Sequence, residues 1–211
     1  MSDFLTADLH NHHASIIQWA SRPWKTKEEM QEGIIERWNF VVQPHDRVWI
    51  LGDLAIDTPN FKKELEIMTK RLGICKELNG ELHLVPGNHD LCHPGIRDKR
   101  KADTFKQVYL DAGIKEVHGL SVIVTTGDRE GKPWRILLNH FPYSDAITPD
   151  ARYPGLRPNR EVFFNMPLAH GHVHQEWKQQ GNMLNVGMDV WNYTPVSMDE
   201  VKALLLPFKT V

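Results

Sequence analysis

Residues 81–90 read ELHLVPGNHD, an apolar run from Glu81 to Val85 that breaks through Pro86 and Gly87 into Asn88, His89 and Asp90. The run suits a short buried strand, and proline followed by glycine ends it in a sharp turn. Gly87 gives the backbone the freedom such a bend needs and leaves room for an ion or anion to come close. Asn88 offers an amide oxygen, His89 an imidazole that titrates near neutral pH, and Asp90 a carboxylate able to orient that ring. A turn chosen only for its geometry would carry the same glycine, so the neighbouring segments have to decide.

Working back toward the start, Asn79-Gly80 is a turn signal before this strand, and Pro59 to about Leu72 reads as an amphipathic helix with Leu65, Met68 and Leu72 inward. Arg47–Leu51 (RVWIL) is a second strand, with Gly52-Asp53 at its carboxyl end. A charge there is costly unless something pairs with it. Thr26-Lys27-Glu28-Glu29 has capping-box spacing and opens a helix to about Val42, whose face of Met30, Ile34, Trp38 and Val41 is core. Phe4–Leu9 is a strand ending in Asp8-Leu9-His10, and strand alternation puts Asp8 and His10 on one side. Strand and helix therefore alternate over the first hundred residues, which predicts an α/β fold with parallel strands. Ligand sites in such sheets gather at the carboxyl ends of strands, where Asp8, Asp53 and Asn88 all stand.

Beyond the turn, Thr104–Ala112 reads as a helix closed by Gly113, and the pattern changes after Glu116. Ser121–Thr126 and Trp134–Leu138 flank a polar turn and predict an antiparallel hairpin ending at Asn139-His140-Phe141-Pro142. Asp150–Asn159 (DARYPGLRPN) is irregular and suits a loop at the rim of a site. Leu168–Val173 forms a strand through Gly171-His172-Val173-His174, Met183–Val186 a last strand, and Ser197 caps a C-terminal helix to about Leu206.

The 211 residues suit a single domain, 1–211, and the apolar and charged fractions are those of an ordinary globular chain. A net charge of -2 argues against wrapping duplex nucleic acid by phosphate neutralisation. The first residues show no basic and apolar signal pattern, and no run is long enough for a membrane span, so neither secretion nor membrane insertion is expected. Cys75 and Cys92 form no CxxC and suit a reduced, cytoplasmic protein. Histidine is the informative residue: there are 12, and most fall at or beside predicted strand ends.

Collecting the donors at those ends gives Asp8, His10, Asp53, Asn88, His140, His172 and His174. All are oxygen or imidazole ligands with no thiolate, a set for Mn²⁺, Fe, Zn²⁺ or Ni²⁺, with Mn²⁺ expected first. They are too many for one open catalytic ion and suit two that share a bridge, for which Asp53 is placed centrally in chain order. Two divalent cations, two aspartates and a hydroxide leave a centre of about +1, matched to a phosphodiester monoanion. Paired ions of this kind activate water and steady both the attacking and leaving oxygens of an in-line displacement.

Asp8-Leu9-His10, Gly52-Asp53, Gly87-Asn88-His89-Asp90, His140 and Gly171-His172-Val173-His174, in that order, resemble the motif set of the calcineurin-like metallophosphoesterases. The resemblance spans positions 8 to 174. It implies a four-layer α/β/β/α sandwich, two mixed β-sheets packed face to face and flanked by helices. It also implies one ion held by Asp8, His10, Asp53 and His174, and a second by Asp53, Asn88, His140 and His172. His89 would protonate the leaving oxygen, with Asp90 holding its ring. His13, Ile16-Ile17, Arg22-Pro23, Trp38-Asn39 and residues 185–191 (NVGMDVW) are similar to a small branch found in bacteria and their phages. That branch commonly carries Phe-Gly where this chain has Asn11-His12, a departure that touches the loop shape but no ligand.

His13 and His170 are candidates to brace a ligand or touch substrate, and His93 and Arg97 follow the central turn. Arg152, Arg157, Arg160 and Tyr143 are candidates for the rim, while His45, His83 and His118 suit surface or packed positions. The seven tryptophans suit mostly core anchors, and nothing in their spacing marks them as base-stacking platforms. The substrate expected is small and phosphorylated, a 2′,3′- or 3′,5′-cyclic nucleotide first, acted on by a monomer or homodimer. A phosphomonoesterase or nucleotide phosphatase, a nuclease and a catalytically silent scaffold are the alternatives.

Overall fold

The computed structural model describes residues 1–56, 63–96, 98–127, 131–148 and 152–208. Strands β1 (Asp3–Thr6), β2 (Arg47–Ile50), β3 (Glu81–Leu84) and β4 (Ile114–Val117) lie parallel, and β10 (Val196–Ser197) adds an antiparallel edge to give the order β10-β1-β2-β3-β4. A second sheet has the order β5-β6-β7-β9-β8. It comprises β5 (Ser121–Gly127), β6 (Pro133–Asn139), β7 (Leu168–His170), β8 (Gln179–Gln180) and β9 (Met183–Asn185). β5 and β6 form the predicted antiparallel hairpin, while β6, β7 and β9 run parallel. Both sheets are thus mixed, as the motif resemblance implied.

The sheets meet face to face over Leu5, Trp49, Leu51, Val85, Trp134, Ile136, Leu138 and Leu184. The other face of the first sheet is covered by α1 (Ala14–Trp19), α2 (Lys27–Val41), α3 (Glu64–Arg71) and α4 (Lys99–Asp111). Helix α5 (Met198–Leu205) contributes Met198, Val201 and Leu205 to the core between the sheets. Caps at Thr26, Asp98 and Ser197 each accept a backbone N–H of the first turn, which fixes where α2, α4 and α5 begin.

Elements β1, α3 and α4 differ from the sequence reading, each for a physical reason. β1 stops at Thr6 because Asp8 and His10 adopt left-handed φ values of 60° and 49°, so strand alternation is not what brings them together. In α3 the inward residues are Glu64 and Met68, with Leu72 buried just past its end, while Leu65 is exposed. Glu64 tolerates burial because Lys101 Nζ stands 2.9 Å from its carboxylate; the predicted start at Pro59 lies outside the described residues. α4 begins five residues before Thr104, its charged first turn hiding the helical period. The short α1, β4 and β10 gave no periodicity to read.

The inner face of α2 buries Met30, Ile34 and Trp38 completely, whereas Phe40 on the same helix is 85% exposed. Chemical denaturation should therefore show Ile34→Ala losing about 2–5 kcal/mol, and Phe40→Ala staying within about 0.5 kcal/mol of the parent.

Candidate metal centre

The loops that leave β1 and β2 are zipped together by backbone bonds: Asp8 N–H to Gly52 O at 3.0 Å and His10 N–H to Asp53 O at 2.9 Å. This places Asp8, His10 and Asp53 at the carboxyl ends of adjacent parallel strands. Asn88 arrives from the turn after β3, His140 from the end of β6, and His172 and His174 from the loop after β7. The seven donors therefore meet where strand ends of both sheets converge.

Asp53 is at the middle. Its Oδ2 lies 3.5 Å from His10 Nε2 and 3.5 Å from His140 Nε2, and its Oδ1 accepts the His89 backbone N–H at 2.9 Å. His140 Nε2 is also 3.1 Å from Asn88 Oδ1. Atoms bound to one first-row cation at about 2.1 Å stand roughly 3–3.4 Å apart, so these separations suit an ion on each side of Asp53. Asp8, His10 and His174 form one group able to hold a cation, and Asp8, Asp53 and His140 another. Both ring nitrogens of His10 are buried with no hydrogen-bond partner among the described residues, a state costly for an imidazole unless a ligand or ion completes it.

The local backbone is bent to this purpose. Asp8, His10, Asp53, His172 and His174 all have positive φ, between 47° and 72°, a conformation that costs about 1–3 kcal/mol per non-glycine residue. Glycines make the room. A Cβ on Gly171 would stand 2.5 Å from Asp8 Oδ2, and one on Gly52 would stand 2.5 Å from His140 Nδ1.

Electrostatics follow from burying several carboxylates together. Burial raises the Asp8 pKa despite the neighbouring His174 and His140. Burial would raise Asp53 as well, but the nearby His140, His10 and His89 and the His89 N–H hold it below the usual carboxylate range. Burial drives His10 well below the ordinary imidazole value, which favours the neutral, ligating form.

Asp90 does a different job from the one expected of it. Its Oδ2 accepts the N–H groups of Asp53 and Gly87, both at 2.8 Å, and its Oδ1 accepts Tyr109 Oη–H at 2.9 Å and Leu54 N–H at 3.3 Å. With both oxygens occupied twice, the carboxylate pins the β2 and β3 loops to each other and does not hold the His89 ring. Burial and the charge of Asp53 push it up to about 6.

Two buried charges that the sequence reading assigned no role complete the support. His174 Nδ1 lies 2.9 Å from Asp189 Oδ2, and Arg22 Nε donates to Asp189 Oδ1 at 2.8 Å. Arg22 also donates to the carbonyls of Asp8 and Leu9. The His174 bond and Arg22 hold Asp189 low although burial opposes them. His140 is fixed in the same way, with Nδ1 2.8 Å from Leu51 O, so its Nε2 faces Asp53. Asp189 sits between Met188 and Val190 just after a strand and a glycine, the same signal that marked Asp53.

The cleft over this centre has a volume of about 870 Å³ and includes His10, Asp53, Asn88, His89, His172 and His174, with His13, Trp19 and Arg152 in its walls. Of the remaining candidates, Arg157 donates to Arg152 O, and Arg160 braces Asp145, Asn165 and Asn182. Tyr143 is fully buried and bonds Met166 O, so it is packed and not at the rim. His170 packs on Trp177, and His93 Nδ1 accepts the Gly95 N–H; Arg97 lies outside the described residues. His83 and His118 lie away from the cleft, with Nδ1 and Nε2 3.1 Å apart.

A profile of the calcineurin-like phosphoesterase family matches residues 4–176. The chain belongs to this family. It is therefore a metal-dependent phosphoester hydrolase, and the family's chemistry uses two metal ions. This phosphoesterase is 27% identical to an uncharacterized protein of Methanocaldococcus jannaschii over 99% of the chain and 93% of the relative. It is 30% identical to the gene 66 protein of Mycobacterium phage L5, over 96% of the chain and 93% of the relative. Among solved structures, a protein of unknown function from Aquifex aeolicus superposes with a TM-score of 0.65 at 27% identity, covering 96% of this chain and 98% of the other.

Replacing Asp189 tests the support directly. Asp189→Asn leaves Arg22 as a buried charge without its partner, so stability should fall by about 3–5 kcal/mol in denaturant titration. Calorimetric Mn²⁺ titration of the same variant should show one site weakened by about 10–100-fold as His174 loses its orienting bond.

Proposed function

We propose that this phosphoesterase hydrolyses the phosphodiester bond of a small substrate, with 2′,3′- or 3′,5′-cyclic nucleotides as the first candidates. The observation that carries the reading is the equal 3.5 Å placement of Asp53 Oδ2 between the Nε2 atoms of His10 and His140 beneath an open cleft. In this reading Asp8, His10, Asp53 and His174 hold one cation, and Asp53, Asn88, His140 and His172 hold the other. Mn²⁺ suits the oxygen and imidazole set first, and Fe, Zn²⁺ or Ni²⁺ are compatible with it. When bound, the two cations supply an activated water at neutral pH and neutralise charge on the phosphoryl oxygens.

The chain's own groups do the rest. Asn88 and His89 line the cleft next to the ligands, so a phosphoryl group resting there lies within reach of the His89 imidazole. That ring carries the proton that the departing ester oxygen takes up. The His89 backbone N–H clamps Asp53 Oδ1, so the proton donor and the shared carboxylate keep one fixed relation. The cleft is far larger than a phosphate requires and falls within the range of small-molecule sites.

Cys75 and Cys92 are both free and buried, and burial pushes the Cys75 thiol up to about 12. That supports a reducing, cytoplasmic setting for a single-domain enzyme, as monomer or homodimer. Among the described residues no helix is long and apolar enough to cross a membrane.

With Mn²⁺ present, bis-p-nitrophenyl phosphate should be hydrolysed well ahead of the monoester; the reverse ratio would make the enzyme a phosphomonoesterase. Nicking of single-stranded DNA would make it a nuclease, and no turnover with any metal would revive the scaffold. His89→Ala should retain both ions and lose about 10²–10⁴-fold in kcat on a diester with an aliphatic alcohol leaving group. An unchanged kcat on that substrate would remove His89 from the mechanism.

A further inference from the structure

Trp19 is unlike the other tryptophans. Trp38, Trp49, Trp134 and Trp191 are buried, and Trp24 packs partly buried against the helical core, whereas Trp19 is 65% exposed. It stands at the end of α1 and lines the cleft of the metal centre, its ring 6.3 Å from that of His174. In sequence, an isolated tryptophan at the end of a six-residue helix looks like any other core anchor.

The backbone that carries this ring is anchored. Ile16 and Ile17 of α1 are sunk in the core, Ala20 N–H bonds Ile16 O, and Gln175 Nε2 donates to the Trp19 carbonyl. The backbone beneath the ring is thus tied to the hydrophobic core on one side and to the segment just after His174 on the other. Exposing a large aromatic surface forfeits roughly 1.5–3 kcal/mol of burial. An exposed aromatic face beside a polar centre is an arrangement that stacks a planar ring and binds through it. The wall of the cleft also carries Thr148 and Arg152. Glu176, beside Gln175, adds a carboxylate that accepts hydrogen bonds from amino or hydroxyl groups and repels a second phosphate.

We propose that Trp19 is the base platform of this site: the heterocycle of a nucleoside phosphodiester stacks on its indole while the phosphoryl group rests against His10, Asp53, Asn88 and His89. The proposal rests on the phosphoester reading of the centre and deepens it, naming a nucleoside ester as the substrate class. Trp19 is a specificity residue, and it takes no part in moving a proton or in holding a cation.

The test compares adenosine 5′-monophosphate with ribose 5-phosphate as ligands of the Mn²⁺-loaded protein, by calorimetry. The two share sugar and phosphate and differ by the base. Parent protein should bind the nucleotide about 10–100-fold more tightly, the worth of one stacked base. In Trp19→Ala that ratio should collapse toward one, and Trp19→Phe should keep most of it. Equal binding of the two ligands by the parent, or an unchanged ratio in Trp19→Ala, would overturn the proposal. The phosphodiester reading fails separately: absence of diester turnover with a base-dependent ratio intact would sink that reading and leave the platform standing.

Discussion

The structure depends on keeping the carboxylate of Asp53 charged where little of it meets water. Asp53 is 2% exposed, with Asp8 and Asp90 also buried close by. Isolated, such carboxylates would take up protons or tear the fold open. Hydrogen bonds answer part of the demand, as the backbone N–H groups on Asp90 and the His89 N–H on Asp53 show. Around one Asp53 oxygen the Nε2 atoms of His10 and His140 stand at an equal 3.5 Å, too far to satisfy it by hydrogen bonding. Cations seated between those groups would answer the rest. The same concentration of buried carboxylates thus suits the arrangement to trapping cations.

That demand propagates outward into the fold. Five of the seven donors sit in left-handed backbone conformations, which aspartate and histidine adopt more readily than most side chains but still at a cost. Only the surrounding framework can hold them there: the paired loops after β1 and β2, the pins from Asp90, and the Arg22–Asp189 pair beneath His174.

How much of this was legible in the sequence depends on range. Blocks such as Gly87-Asn88-His89-Asp90 and Gly171-His172-Val173-His174 carry their chemistry within a few residues, and buried strands such as Arg47–Ile50 announce themselves by composition, so donors and architecture could be read directly. The sequence pairs Asp90 with its chain neighbour His89, whereas its hydrogen bonds run to Asp53, Leu54 and Tyr109 across the fold. Arg22 and Asp189 are 167 residues apart, and nothing in either local segment declares the pair. The exposure of Trp19 is likewise a property of what fails to cover it. Long-range pairing and absence of cover are three-dimensional facts, and one sequence carries them only weakly.

The claim at the centre of the account is that two cations flank Asp53. Anomalous scattering at the manganese edge from crystals reconstituted with Mn²⁺ tests it most directly. The account predicts two peaks about 3.5–4 Å apart, one beside Asp8, His10 and His174 and the other beside Asn88, His140 and His172, with Asp53 between them. A single peak, or manganese bound elsewhere with the cleft holding only water, would contradict it.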